Sequence, residues 1–176
     1  MSFLTLGELR SQTFTKAATL NESIRKAAIA GKKVFLSYRR KDKGYVVPVV
    51  HFLQSLGINV YIDYLDDNLP DTPNSATAAI LRGKIKGAQK FILMATPNSG
   101  DSKWIPWELG LGDGFIKYEN VAILPITNYS ATWSEHEYYD IYAYIEKRAS
   151  QTGTLTDWAI IFPDKKAMWL KDWLNS

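Results

Sequence analysis

The residues best suited to do chemistry are an indole and a carboxylate one helical turn apart. In Ser102-Lys103-Trp104-Ile105-Pro106-Trp107-Glu108, Ser102 is a natural N-cap and Pro106 is tolerated near a helix start. Trp104 and Glu108 then stand at i and i+4 and share a face. A flat aromatic plate beside a carboxylate suits a small-molecule site, and a helix N-terminus favours the ionised acid. The alternative is that Trp104 and Trp107 pack as core while Glu108 caps or pairs at the surface. A second group is Arg39-Arg40-Lys41, with Lys43 and with Asp42 among them. It reads either as a solvated loop or as a grip on a pyrophosphate, because a guanidinium forks onto two oxygens. A third is the acidic stretch Asp63-Tyr64-Leu65-Asp66-Asp67-Asn68-Leu69-Pro70-Asp71. It does not meet the calcium-loop order, and a lid or capping turns fit it better.

Other chemistries are excluded by what is missing. The chain has no cysteine, which removes thiol nucleophiles, disulfides and sulfur-ligated zinc. His51 and His136 lie far apart, without metal-like spacing. Neither GxGxxG nor GxxxxGK[ST] occurs, so a Rossmann dehydrogenase or P-loop enzyme is not expected. Ser37 and Ser99 have no histidine with a supporting acid near them in sequence.

The elements that must position these groups follow from periodicity. The 176 residues suit one domain, and a net charge of +3 is too balanced to predict nucleic-acid binding. No apolar run reaches the ~20 residues of a membrane span, and the first residues lack a signal-peptide core, so a cytosolic protein without membrane attachment is expected. Residues 1–31 read as a helical extension packed on the main domain, with Leu20, Ile24, Ala27 and Ala28 at helical spacing behind Asn21. From residue 32, strands are expected at Lys33–Tyr38 (KVFLSY), Ile58–Ile62 (INVYI), Lys90–Ala95 (KFILMA), Val121–Ile126 (VAILPI) and Asp157–Phe162 (DWAIIF). Helices are expected at Asp42–Leu56, Ala76–Lys86 (with Ala79, Ile80 and Ile85 inward), from Lys103, at Glu137–Arg148 with a tyrosine-rich face, and at Lys165–Leu174 with Met168, Trp169 and Trp173 inward. Five apolar strands alternating with helices imply an α/β fold, a five-stranded parallel sheet with helices on both faces. Such sheets bind ligands at the carboxyl ends of their strands, where the three groups above fall.

Three segments resemble one family. Val34-Phe35-Leu36-Ser37-Tyr38-Arg39 is similar to the first-strand box of TIR (Toll/interleukin receptor homology) domains. Val60-Tyr61-Ile62-Asp63 is similar to the second strand, running into the family's BB loop. Ser102-x-Trp104-x-x-x-Glu108-Leu109 resembles a segment of enzymatically active members. The resemblance implies a flavodoxin-like TIR domain over 32–176, with 1–31 outside it. It also implies cleavage of NAD+ at the bond to nicotinamide, with NAD+ as substrate rather than cofactor and no metal. Glu108 would be catalytic, Trp104 would stack near the substrate ring, and Ser37, Tyr38, Arg39, Arg40, Asp63 and Leu69 would complete the substrate-binding set. Trp107-Glu108-Leu109-Gly110 further resembles bacterial TIR proteins of antiphage defence of the Thoeris type, in which a cyclic or modified ADP-ribose signals to an effector. Self-association through TIR surfaces is implied too. The alternatives are a non-catalytic TIR scaffold and a hydrolase of nucleosides or nucleotides. Two departures stand out: Pro70 is followed by Asp71 where the family usually has Pro-Gly, and the loop around them is longer and more acidic.

Overall fold

The computed structural model describes residues 2–11, 32–56, 60–63, 74–128, 139–150, 153 and 156–176. The expected helix behind Asn21, residues 64–71 of the acidic stretch with Leu69, and His136, Glu137 and Tyr138 lie outside these residues.

Among the described residues, eight strands form one sheet. They are β1 (Leu4–Thr5), β2 (Lys32–Ser37), β3 (Val60–Asp63), β4 (Lys90–Ala95), β5 (Val121–Thr127), β6 (Ala143–Ala149), β7 (Thr156–Ile161) and β8 (Ala167–Trp169). The order is β3-β2-β4-β5-β6-β7-β8, with β1 on β5. From β3 to β6 the strands run parallel. β7 and β8 are antiparallel to their neighbours. The sheet is therefore mixed and wider than the five parallel strands expected. All residues of β4 and β5 are buried, as strands covered on both faces must be.

Five helices flank the sheet among the described residues: α1 (Leu6–Ser11), α2 (Val46–Ser55), α3 (Ser75–Lys86), α4 (Ile105–Ile116) and α5 (Leu170–Asn175). Leu9 of α1, Val46, Val49 and Leu53 of α2, and Leu170, Trp173 and Leu174 of α5 share one core cluster with Val34 and Leu36 of β2. Leu81 and Ile85 of α3 and Ile105, Leu109 and Ile116 of α4 pack with Phe35 of β2 in the other. The strand's period of two thus sends Phe35 and Ser37 to the α3/α4 face, and Val34, Leu36 and Tyr38 to the opposite one.

Several elements differ from expectation. The stretch read as a helix from Asp42 begins as a 3-10 turn over Arg40–Tyr45, and α2 starts only at Val46. Pro48 thereby falls in the first turn, where its missing N–H costs nothing. In α3, capped by a box between Asn74 and Thr77, Ile80 is outward while Thr77, Leu81 and Ile85 are inward. In the described part of the helix expected over Glu137–Arg148, a short 3-10 turn at Tyr139–Ile141 is followed by β6 instead. Six residue pairs from Tyr144↔Ile161 to Ala149↔Thr156 hold that strand in a hairpin with β7, which the helical spacing of the tyrosines conceals. The expected closing helix is split likewise: a turn with Lys165 at φ 67° leads into β8, and only Leu170–Asn175 is helical. Met168 points outward and Trp173 inward.

The first residues belong to the sheet. Leu4 and Thr5 pair with Ile126 and Thr127, and the Ser2 carbonyl accepts from the Lys147 N–H. β6 pairs with β5 only at Ala122 and Ile123. Pro125, which has no N–H to donate, sits at the changeover between these two partners. Thr5 and Glu8 close a capping box on α1: the Thr5 N–H donates to Glu8 Oε2 at 2.9 Å, and the Glu8 N–H donates to Thr5 Oγ1 at 3.1 Å.

Candidate active site

The carboxyl end of β2 and the first turn of α4 meet in one hydrogen bond. Ser37 Oγ donates to Glu108 Oε2 at 2.6 Å, and both side chains are buried. Ser37 reaches Glu108 because it shares its strand face with Phe35, the face on which α4 lies. α4 also lies close to the sheet. A methyl group at Gly112 would stand 2.8 Å from Phe91 Cδ2, so only glycine lets the helix seat this near β4. Phe91 in turn stacks on Phe35, with ring centroids 5.4 Å apart.

Burial pushes the Glu108 carboxyl up from 4.5 to about 7, and the Ser37 hydrogen bond works against that rise. Loss of water around a charge outweighs one charge-assisted hydrogen bond here. This corrects the expectation that a helix N-terminus would keep Glu108 ionised. A carboxyl group poised near neutrality inside a sheet-end site is a recognised mark of functional chemistry.

Trp104 precedes Glu108 by one turn; its carbonyl accepts from the Glu108 N–H at 2.9 Å. Ser102 starts that turn, its hydroxyl accepting from the backbone of Trp104 and Ile105 at 3.4 and 3.3 Å. The Trp104 indole is half-buried and meets Trp107 edge-on at 5.2 Å. The Arg82 guanidinium of α3 lies 5.2 Å from the Trp107 ring centre. Trp107 is thus held between a cation and the second indole, and Trp104 keeps an exposed part of its ring.

A second network joins the loops after β2 and β4. Asp42, buried, accepts from Thr96 Oγ1 at 2.6 Å and from Asn98 Nδ2 at 2.8 Å. Arg39 Nη1 donates to the Asn98 carbonyl and to Asp101 Oδ2, the latter at 3.1 Å. The Ser99 hydroxyl accepts from the Thr96 N–H at 2.9 Å. Sequence reasoning missed Asp42, Thr96 and Asn98. The available signal was a single acid inside a run of four cations.

The structure therefore brings together Ser37, Glu108 and the turn carrying Trp104, with Arg39 on the adjoining loop. Tyr38 is buried in the cluster on the other side of the sheet. Arg40 is exposed at the start of the 3-10 turn. Asp63 ends β3, in register with Phe35 of β2. Leu69 lies outside the described residues. Among the described residues no cluster of three or more His, Asp or Glu side chains forms, and no helix is long and apolar enough to cross a membrane.

Comparison with known proteins gives three matches. A family model described as the TIR domain matches residues 34–151. A protein of Bacillus cereus (strain MSX-D12), provisionally named 3′ cyclic ADP-D-ribose synthase ThsB′, is 31% identical over 146 residues, covering 81% of this chain and 75% of the relative. A protein of Cytobacillus dafuensis, provisionally named cyclic ADP-D-ribose synthase TIR2, is 25% identical over 105 residues, 56% of this chain and 28% of the relative.

Proposed function

The chain belongs to the TIR-domain family, and from that premise we propose that it cleaves NAD+ at the nicotinamide–ribose bond and closes the remainder into a cyclic ADP-ribose that serves as a signal in antiphage defence. One observation carries this reading: a buried, hydrogen-bonded carboxyl at the carboxyl end of the sheet's parallel strands, one turn from a partly exposed indole. The names of the two relatives support the cyclic product.

The chemistry suits a single acid. Nicotinamide is attached as a cationic pyridinium, so the electron pair of the breaking C–N bond neutralises it and it leaves without a proton. Ordinary glycosidases need a carboxylic acid for their leaving group and a second carboxylate opposite. Here Glu108 has to stabilise positive charge growing on the ribose and to orient the ribose hydroxyls. An incoming pyridinium favours the ionised form of Glu108 and so opposes the effect of burial. Trp104 offers a face on which a ring, briefly cationic, can stack. Arg40, exposed at the start of the 3-10 turn that follows β2, would meet pyrophosphate charge in this reading. Capture of the ribose carbon by water would give ADP-ribose. Capture by a nucleophile of the same molecule gives a ring and releases that nucleophile's proton; it needs a folded substrate and little water.

The test is nicotinamide release and product identification by chromatography and mass spectrometry with wild type, Glu108→Gln and Glu108→Ala. Wild type should yield nicotinamide and a cyclic ADP-ribose, and both variants should lose at least about a hundredfold in rate, the scale of losing electrostatic stabilisation at a reacting centre. Undiminished turnover by folded Glu108→Ala would remove Glu108 from the reaction. No turnover by assembled wild type would leave a TIR scaffold instead.

A further inference from the structure

We propose that Asp42 is a positioning residue of the NAD+ site, holding the loop after β4 so that the turn bearing Trp104 stands at a fixed distance from Ser37 and Glu108. This inference rests on the function proposed above and adds a residue that the three-segment resemblance does not contain. Asp42 is almost fully buried, although it lies in a turn whose neighbours Arg40, Lys41 and Lys43 are exposed. Both of its oxygens are used, one by Thr96 and one by Asn98. Neither partner belongs to its own element: both follow β4, more than fifty residues onward. Asn98 is gripped twice, its amide by Asp42 and its carbonyl by Arg39. Arg39, which sequence reasoning gave to the pyrophosphate, is thereby committed to the loop.

The loop's own bonds carry the restraint onward. The Asn98 N–H donates to Thr96 Oγ1 at 3.1 Å, the hydroxyl that itself donates to Asp42. The Ser99 carbonyl accepts from the Ser102 N–H at 3.0 Å, and Ser102 opens the turn into α4. Asp42 is therefore linked through Thr96, Asn98, Ser99 and Ser102 to Trp104. Without the carboxylate, Thr96 and Asn98 each lose a buried partner, and Arg39 alone retains the loop through a carbonyl and a largely exposed aspartate.

The experiment compares wild type, Asp42→Ala, Asp42→Asn and Asn98→Ala by NAD+ kinetics and by amide hydrogen exchange over residues 96–104, well below each variant's unfolding temperature. Asp42→Ala is expected to raise KM about tenfold or more, since a misplacement near 1 Å can cost up to about a hundredfold. The pH midpoint set by Glu108 should stay in place, and exchange over 96–104 should quicken. Asp42→Asn keeps an acceptor for Asn98 and should recover most of the loss. Asn98→Ala removes an exposed side chain and should reproduce the KM change in a folded protein, even if Asp42→Ala does not fold. Unchanged KM and unchanged exchange in Asn98→Ala and in folded Asp42→Ala would overturn the proposal. So would a change confined to thermal stability. If wild type consumes no NAD+, the functional reading fails by itself. The restraint is then decided by exchange: faster opening of 96–104 supports it, and unaltered opening refutes it.

Discussion

A carboxyl group that titrates near 7 is divided between its two forms at the pH of ordinary assays, and for Glu108 that division has two measurable consequences. Catalysis by the carboxylate should make kcat/KM rise with pH to a plateau, with a midpoint near the value of about 7 set by burial. The Ser37 hydrogen bond lowers that value, so Ser37→Ala should move the midpoint upward and leave less active enzyme at pH 7. A downward or absent shift would show that Ser37 does not tune Glu108. The second consequence is a stability cost. A carboxyl whose folded value lies above its unfolded one destabilises the fold as pH rises from 4.5 through about 7, and costs nothing when both states are protonated. That difference corresponds to about 3 kcal/mol at pH 8, as an order of magnitude. Glu108→Gln should therefore unfold at higher urea than wild type at pH 8 and at equal urea near pH 4. A midpoint gap that does not close on acidification would contradict this origin of the cost.

At the scale of elements, the site depends on how closely α4 can approach the sheet. Gly112 faces the Phe91 ring with no room for a methyl, whereas Gly114 on the same helix has open space around it. Gly114→Ala should stabilise by about 0.5–1 kcal/mol through helix propensity. Gly112→Ala should instead destabilise by about 1–2 kcal/mol, because a buried ring must shift, and should also weaken the Ser37–Glu108 contact. Urea unfolding of both variants, with the pH midpoint of activity for the second, checks the pair; equal effects would refute the close approach. The same elements show what was legible beforehand. β2, β4, β5 and the start of α4 could be read because their apolar runs and caps are local. The mixed end of the sheet could not. Tyr139, Tyr142 and Ala143 are compatible with helical spacing, and pairing with β7 and, at Ala143 and Tyr144, with β5 makes a strand of 143–149. For the candidate site, Trp104 and Glu108 were readable from one turn of helix. Asp42 was not, since its partners lie on another loop and its charged neighbours disguise a buried side chain.

For the whole molecule, the segment before residue 32 is part of the architecture where it is described. Leu4 and Leu9 are buried in the cluster that also holds α2 and α5. Leu9→Ala should cost about 2–4 kcal/mol, the usual range for emptying a buried leucine site. Unfolding followed by fluorescence and by circular dichroism should remain one coincident transition, because residues 2–11 share a core with the rest. An early separate transition would mark them as an independent appendage. The opposite end is anchored by Lys90, whose ammonium donates to Asn120 Oδ1 at 2.6 Å and Ser176 Oγ at 2.9 Å and lies 4.7 Å from the Trp173 ring centre. Residues 2–11 and Ser176 are thus both secured by contacts with residues far away in the chain.

The lodging of Leu4–Thr5 against Ile126–Thr127 also imposes a timetable on biosynthesis. These two residues leave the ribosome roughly 120 codons before the strand that receives them. Loop-closure entropy delays such distant pairings. The earliest described piece of the sheet must then wait, the Leu4 side chain uncovered, until β5 has been made, and during that interval a nascent chain is most exposed to chaperones and proteases.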